Sequence, residues 1–169
     1  MELWDLVDGS RNLLGKLHTR GEETRDGEYH IVVEIFTINV DGRILLTQRD
    51  ALKTYPLLWE STGGSVTAGE TSLQGAIREL EEETGLLVKP QDLQCIGEIK
   101  RGNYYLDSYI WKSRENIEIS ELKLQPGEVC DTKLVTLQEL DEMNKQGLIV
   151  PLVWERYKLY FAEIADLVK

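Results

Sequence analysis

The sequence predicts a single-domain α/β fold. The signs are β-branched, nearly continuous apolar runs, an Asp41-Gly42 hairpin signal between two of them, and a capped amphipathic helix directly after a glycine pair. A chain of 169 residues, 41% of them hydrophobic, is enough for one core and short for two.

The first 25 or so residues read as a hairpin: LWDLV, a turn at DGSRN, then LLGKLHT, before the polar loop RGEETRDGE. YHIVVEIFTINV follows, and across the Asp41-Gly42 turn comes RILLTQR; both strands are expected in the middle of a sheet. LKTYPLLWESTGG is expected to be irregular, with Pro56 and the Gly63-Gly64 pair marking loop. Helical periodicity then runs from Thr71 to Thr84. Further strands are predicted at LQCIGEI, YYLDSYIWKS and KLVTL. A helix over LQELDEMNKQ ends at Gly147, and a last one opens at Pro151 with Val153, Tyr157, Phe161, Ile164 and Leu167 at helical spacing. There is no internal repeat.

Composition narrows the function. The opening MELWDLVDGS is acidic and mixed, and no apolar stretch approaches the roughly 20 residues that span a bilayer, so a soluble, cytoplasmic protein without a membrane partner is expected. Cys95 and Cys130 have no metal-site or disulfide spacing and are expected as buried thiols. With 30 acidic residues against 19 basic ones and no local basic patch, nucleic acid is excluded as a partner, and an anionic substrate needs a metal bridge.

The acidic density peaks on one helix. Thr71 and Gln74 have capping-box spacing, and Gly85 stands where a left-handed terminator belongs. Leu73, Ile77, Leu80 and Thr84 fall within about 60° of one another and are expected to form the buried stripe. Glu79, Glu82 and Glu83 share another face. At an effective dielectric of about 20 and roughly 6 Å, each ionised pair of them costs ~3 kcal/mol, falling to tenths on an exposed helix. A divalent cation removes that penalty, and Mg²⁺ or Mn²⁺ suits oxygen ligands shared with substrate phosphates.

The stretch GSVTAGETSLQGAIRELEEETGL matches the Nudix box, G-x5-E-x7-R-E-U-x-E-E-x-G-U with U apolar, at every specified position: Gly64, Glu70, Arg78, Glu79, Leu80, Glu82, Glu83, Gly85 and Leu86. The chain thus resembles the Nudix superfamily from about Tyr29 to its C-terminus. The resemblance implies an α/β/α sandwich with a mixed β-sheet, read here as one domain over 1–169 with an N-terminal hairpin extension at 1–28. It implies Mg²⁺- or Mn²⁺-dependent hydrolysis of a diphosphate linkage in a nucleoside diphosphate derivative or similar compound. Glu79, Glu82, Glu83 and the Gly63 carbonyl would hold the metal, Arg78 would orient the carboxylates through Glu82 or Glu70, and Gly64 would let the backbone approach closely. Glu70 and Gly85 would be structural. Glu128, in a segment resembling one that often supplies a further acid, is a candidate base beside the helix glutamates.

A finer likeness over the first 90 or so residues is to the branch that includes isopentenyl-diphosphate isomerase. That enzyme protonates an alkene with a cysteine, but the corresponding stretch here is WESTGGSV, without one. An isomerase and a non-catalytic ligand-binding module are therefore the alternatives to hydrolysis. Gln48, Arg49 and Lys53 are the candidate phosphate contacts; His18 and His30 are read as hydrogen-bonded histidines rather than ligands. Trp154, Tyr157, Tyr160 and Phe161 on the last helix are read as core, with a homodimer face as the alternative.

Overall fold

The computed structural model describes residues 2–169. The chain opens with β1 (Leu3–Val7) and β2 (Leu13–Thr19), an antiparallel hairpin that forms a sheet of its own. It is tied to the rest along its length, with Ala68 N donating to the Leu3 carbonyl (2.8 Å) and the Tyr105 hydroxyl to the Gly9 carbonyl (2.7 Å). Val7 and Tyr29 exchange backbone hydrogen bonds of 2.8 and 2.9 Å. At the turn, Arg11 adopts a φ of 65° and its guanidinium grips Asp107 through two bonds of 2.6 and 2.7 Å.

The main sheet holds β3 (His30–Ile38), β4 (Ile44–Arg49), β5 (Trp59–Glu60), β6 (Thr62–Ser65), β7 (Gln94–Arg101), β8 (Tyr104–Lys112) and β9 (Val129–Val135). Its order is β5-β4-β3-β8-β7, with β6 also on β3 and β9 also on β4. β3 and β8 run parallel and the other pairs antiparallel, so the sheet is mixed.

The Asp41-Gly42 turn is present, but β3 and β4 stay paired only at Ile38 and Ile44. Beyond that point they part, because β6 takes the edge of β3 and β9 that of β4. The stretch expected to be wholly irregular therefore ends in strand. Glycine makes this possible: at Gly63 a Cβ would stand 2.3 Å from the Val33 carbonyl oxygen, too close for any side chain.

Residues of β3 alternate between two cores. Val33 and Ile35 pack with Ala76 and Leu80 of α1 (Ser72–Thr84) on one face. Phe36 and Ile38 pack on the other under α2 (Leu137–Lys145), α3 (Pro151–Leu159) and α4 (Phe161–Leu167). The result is the three-layered α/β/α arrangement. Among the described residues no helix is long and apolar enough to cross a membrane.

Three expectations are corrected. The stripe buried by α1 runs along Gly75, Ala76, Glu79, Leu80, Glu83 and Thr84, with Leu73 and Ile77 at its flank. The helix is rolled toward Val66, which lies where a Gly75 side chain would stand (2.9 Å to a Cβ). The last helix is broken at Tyr160 (φ −103°, ψ 24°), whose ring fills the space over Gly97. Tyr160 is thereby buried and Phe161 is 56% exposed. Cys95 and Cys130 are both exposed, since each lies on a strand with a single sheet neighbour.

Candidate active site

The site forms where β6 runs into α1. The capping box closes the helix start, with Gln74 N donating to Thr71 Oγ1 (3.2 Å) and Thr71 N to Gln74 Oε1 (2.8 Å), and Gly85 ends the helix at a φ of 76°. Between these ends, the roll that buries Ala76 and Leu80 also carries two acids inward. Glu79 lies directly over Gly64, where a Cβ would come within 2.4 Å of its carboxylate carbon. Glu83, one turn on, is 3% exposed, and its Oε2 has no hydrogen-bond partner among the described residues.

Burial pushes the Glu83 carboxyl well above the usual carboxylate range, and the charges of Glu60 and Glu79 push it further. Glu79 is raised for the same first reason; Arg78 works against this, while Glu82 and Glu2 add to it. Glu60 is also raised by burial, opposed by Arg49, whose Nη1 donates to both its oxygens at 2.8 Å.

Arg78 is the organiser. It donates to Glu70 through Nε (2.8 Å) and Nη2 (3.1 Å), to Glu79 (2.7 Å) and Glu82 (3.1 Å) through Nη1, and to the Ser65 carbonyl (3.0 Å) through Nη2. Both contacts suggested for it, Glu70 and Glu82, are present together. Arg78 draws Glu79 and Glu82 to itself, and no three acidic, histidine or cysteine side chains among the described residues are gathered as a ready-made cage.

These groups line a cleft of about 430 Å³. It brings together Gly63, Gly64, Arg78, Glu79, Glu82 and Glu83 from the box side with Arg49, Lys53 and Glu128 from the facing loops. Lys53 pairs with Glu128, whose carbonyl accepts from Asp50 N at 3.0 Å. Gln48 does not line it: its amide donates to the Leu57 carbonyl (2.9 Å). Glu70 and Gly85 stand outside the cleft, at the two ends of the helix scaffold. His18 and His30 lie away from it too, flanking the Trp4 ring at centroid distances of 5.7 and 4.3 Å. Sequence reasoning missed Glu2, Arg20 and Gln125, which line the cleft, and Glu60 behind it. The signal for Glu60 was its place in Trp59-Glu60, an acid following a core aromatic; nothing in spacing pointed to Arg20.

Comparison with known proteins identifies the family and the fold. A family model described as the NUDIX domain matches residues 28–153. The chain is 37% identical over 157 residues to a Nudix hydrolase of Listeria monocytogenes, covering 89% of each. It is 30% identical over 150 residues to the isopentenyl-diphosphate Delta-isomerase of Streptomyces avermitilis, covering 84% of this chain and 75% of that one. A solved structure from Deinococcus radiodurans superposes with a TM-score of 0.70 at 19% identity, covering 88% of this chain and 92% of that one, which is a likeness of fold.

Proposed function

Because the chain belongs to the NUDIX domain family of hydrolases, we propose that it cleaves a diphosphate linkage in a nucleoside diphosphate derivative or similar compound, with Mg²⁺ or Mn²⁺ as cofactor. The observation that carries the cofactor is Glu83. A carboxylate oxygen sealed from water without a donor calls for a proton or a cation. With Glu79 and Glu60 beside it, a cation relieves three acids at once. The donor set is all oxygen, which fits a hard divalent ion. Glu79, Glu83 and the Gly63 carbonyl would hold it, with Glu82 at the rim, and Gly64 leaves the backbone bare where the ion must approach.

When bound, the ion neutralises the diphosphate, stabilises the leaving oxygen and acidifies the attacking water. The protein does the rest. Arg78 locks Glu79 and Glu82 onto the loop through Glu70 and Ser65, so the acids keep their spacing as charge shifts. Lys53 grips a phosphate, and in turning to it leaves Glu128. The freed Glu128 carboxylate takes the proton of the attacking water; a new phosphorus–oxygen bond forms and the bridging one breaks. Hydrolysis is favoured over alkene protonation because neither cysteine lines the cleft, and at Gly64 any side chain would run into Glu79.

The test is Mg²⁺-dependent phosphate release, with product identification, over a panel of nucleoside diphosphate sugars, dinucleotides, nucleoside triphosphates and isoprenoid diphosphates. Glu82→Gln is expected to lower turnover by on the order of a hundredfold to a thousandfold. Isomerisation of an isoprenoid diphosphate without any hydrolysis, or binding without turnover, would sink the reading.

A further inference from the structure

The family match begins at residue 28, yet one wall of the cleft comes from before it. Glu2 and Arg20, at the open end of the N-terminal hairpin, line the same cleft as Arg78, Glu79 and Glu82. Their position is built. Arg20 N donates to the Glu2 carbonyl (3.1 Å), Arg20 Nη1 to Glu2 Oε2 (2.9 Å), and Trp4 Nε1 to Glu2 Oε1 (2.8 Å). Trp4 is itself buried between His18 and His30. Glu2 is thus held by the indole whether or not Arg20 attends to it.

The cations of the cleft are not equally available. Arg78 is committed to three carboxylates and a carbonyl, and Arg49 to Glu60 and the Thr54 carbonyl (2.5 Å). Lys53, on the loop side, is paired with Glu128, and on the hairpin side Arg20, 60% exposed, has only Nη1 engaged among the described residues, out of its five donors. A diphosphate gripped by Lys53 and neutralised at the box leaves Arg20 facing what lies beyond it. A guanidinium with spare forked donors matches a phosphate there.

We infer that Arg20 is a substrate-contacting, specificity-determining residue, and that the substrate carries a further phosphate beyond the diphosphate, on the hairpin side of the cleft. This rests on the diphosphate-hydrolase reading above for its orientation. Arg20 leaves Glu2 to the Trp4 indole and takes the distal phosphate, so a substrate ending in a neutral sugar gains nothing from it.

The experiment measures binding, by calorimetry on the full chain with Ca²⁺ as the divalent ion to slow turnover, using inorganic pyrophosphate and tripolyphosphate as probes. The native chain is expected to prefer tripolyphosphate by about tenfold, the worth of one charge-assisted contact. Arg20→Ala should bring the ratio to about one, while Arg20→Lys keeps most of the preference. Equal affinities in the native chain, a ratio untouched by Arg20→Ala, or no binding of either probe would overturn the inference. The two readings fail separately: preference without hydrolysis of any panel member removes the hydrolase, and hydrolysis without preference removes only the role of Arg20.

Discussion

Glu83 is the residue on which fold and function pull in opposite directions. Its carboxyl is raised by burial and by Glu60 and Glu79, so the folded state holds its proton more tightly than the unfolded chain does. Such a group contributes stability that is complete below its ordinary value of 4.5 and is lost as pH rises through the folded value. Without divalent cation, the native protein should therefore lose thermal stability as pH rises above the ordinary carboxylate range and through the raised Glu83 value. Glu83→Gln, which needs no proton, should flatten that slope and melt higher at neutral pH by about 1–2 kcal/mol, a rise of roughly 2–6 °C. Mg²⁺ should raise the melting temperature of the native chain more than that of the variant. Parallel melting curves for the two proteins across that pH range would show that Glu83 is not charged against its surroundings.

At the scale of elements, the sequence is legible wherever a signal is local. Both hairpin strands at the N-terminus, the α1 caps and the strands at LQCIGEI and YYLDSYIWKS stand where composition and spacing put them, whereas β9 begins at Val129, four residues before the expected KLVTL, whose Thr136 and Leu137 instead cap and open α2. The capping box makes a clear test: Thr71→Ala should cost about 1 kcal/mol in urea denaturation and Thr71→Ser should recover most of it. An unchanged midpoint in Thr71→Ala would mean that the loop, held by Arg78, fixes the helix start unaided. What sequence could not reveal depends on distant partners. β3 and β4 part because β6 and β9 arrive from elsewhere in the chain. The roll of α1 is set by Val66 under Gly75, and it alone turns Glu79 and Glu83 from a surface face into buried acids. Likewise, Tyr160 rather than Phe161 enters the core because Gly97 leaves a hollow for its ring. The box glutamates were readable from their spacing, whereas Glu60 and Arg20 share a site with them only through the sheet and the hairpin.

At the scale of the whole molecule, the two sheets are joined at the hairpin turn by Arg11 and by the Tyr105 hydroxyl, which donates to the Gly9 carbonyl (2.7 Å). Arg11 holds Asp107, whose side chain is 6% exposed, and reaches Glu98 at 2.9 Å while lying 5.1 Å over the Tyr105 ring. Arg11→Met should cost about 3 kcal/mol by leaving a buried charge unpaired, and raise amide exchange in β1 and β2. Arg11→Met with Asp107→Leu should recover much of the loss, because the stranded charge is gone. Equal losses in single and double variants would mean that the ion pair matters for its packing rather than its charge. The parallel pairing of β3 with β8 has a consequence for how the chain folds. Everything from β4 to β7, α1 included, lies between those two strands, so their ladder closes a loop that contains most of the cleft. Closing so long a loop costs chain entropy before its contacts repay it, while β3 with β6 closes a loop less than half as long and α1 with its caps needs only nearby residues. The acids of the box would then be drawn together early, over a core still missing Tyr109 and Trp111 of β8, and refolding would wait on β8 sliding between β3 and β7.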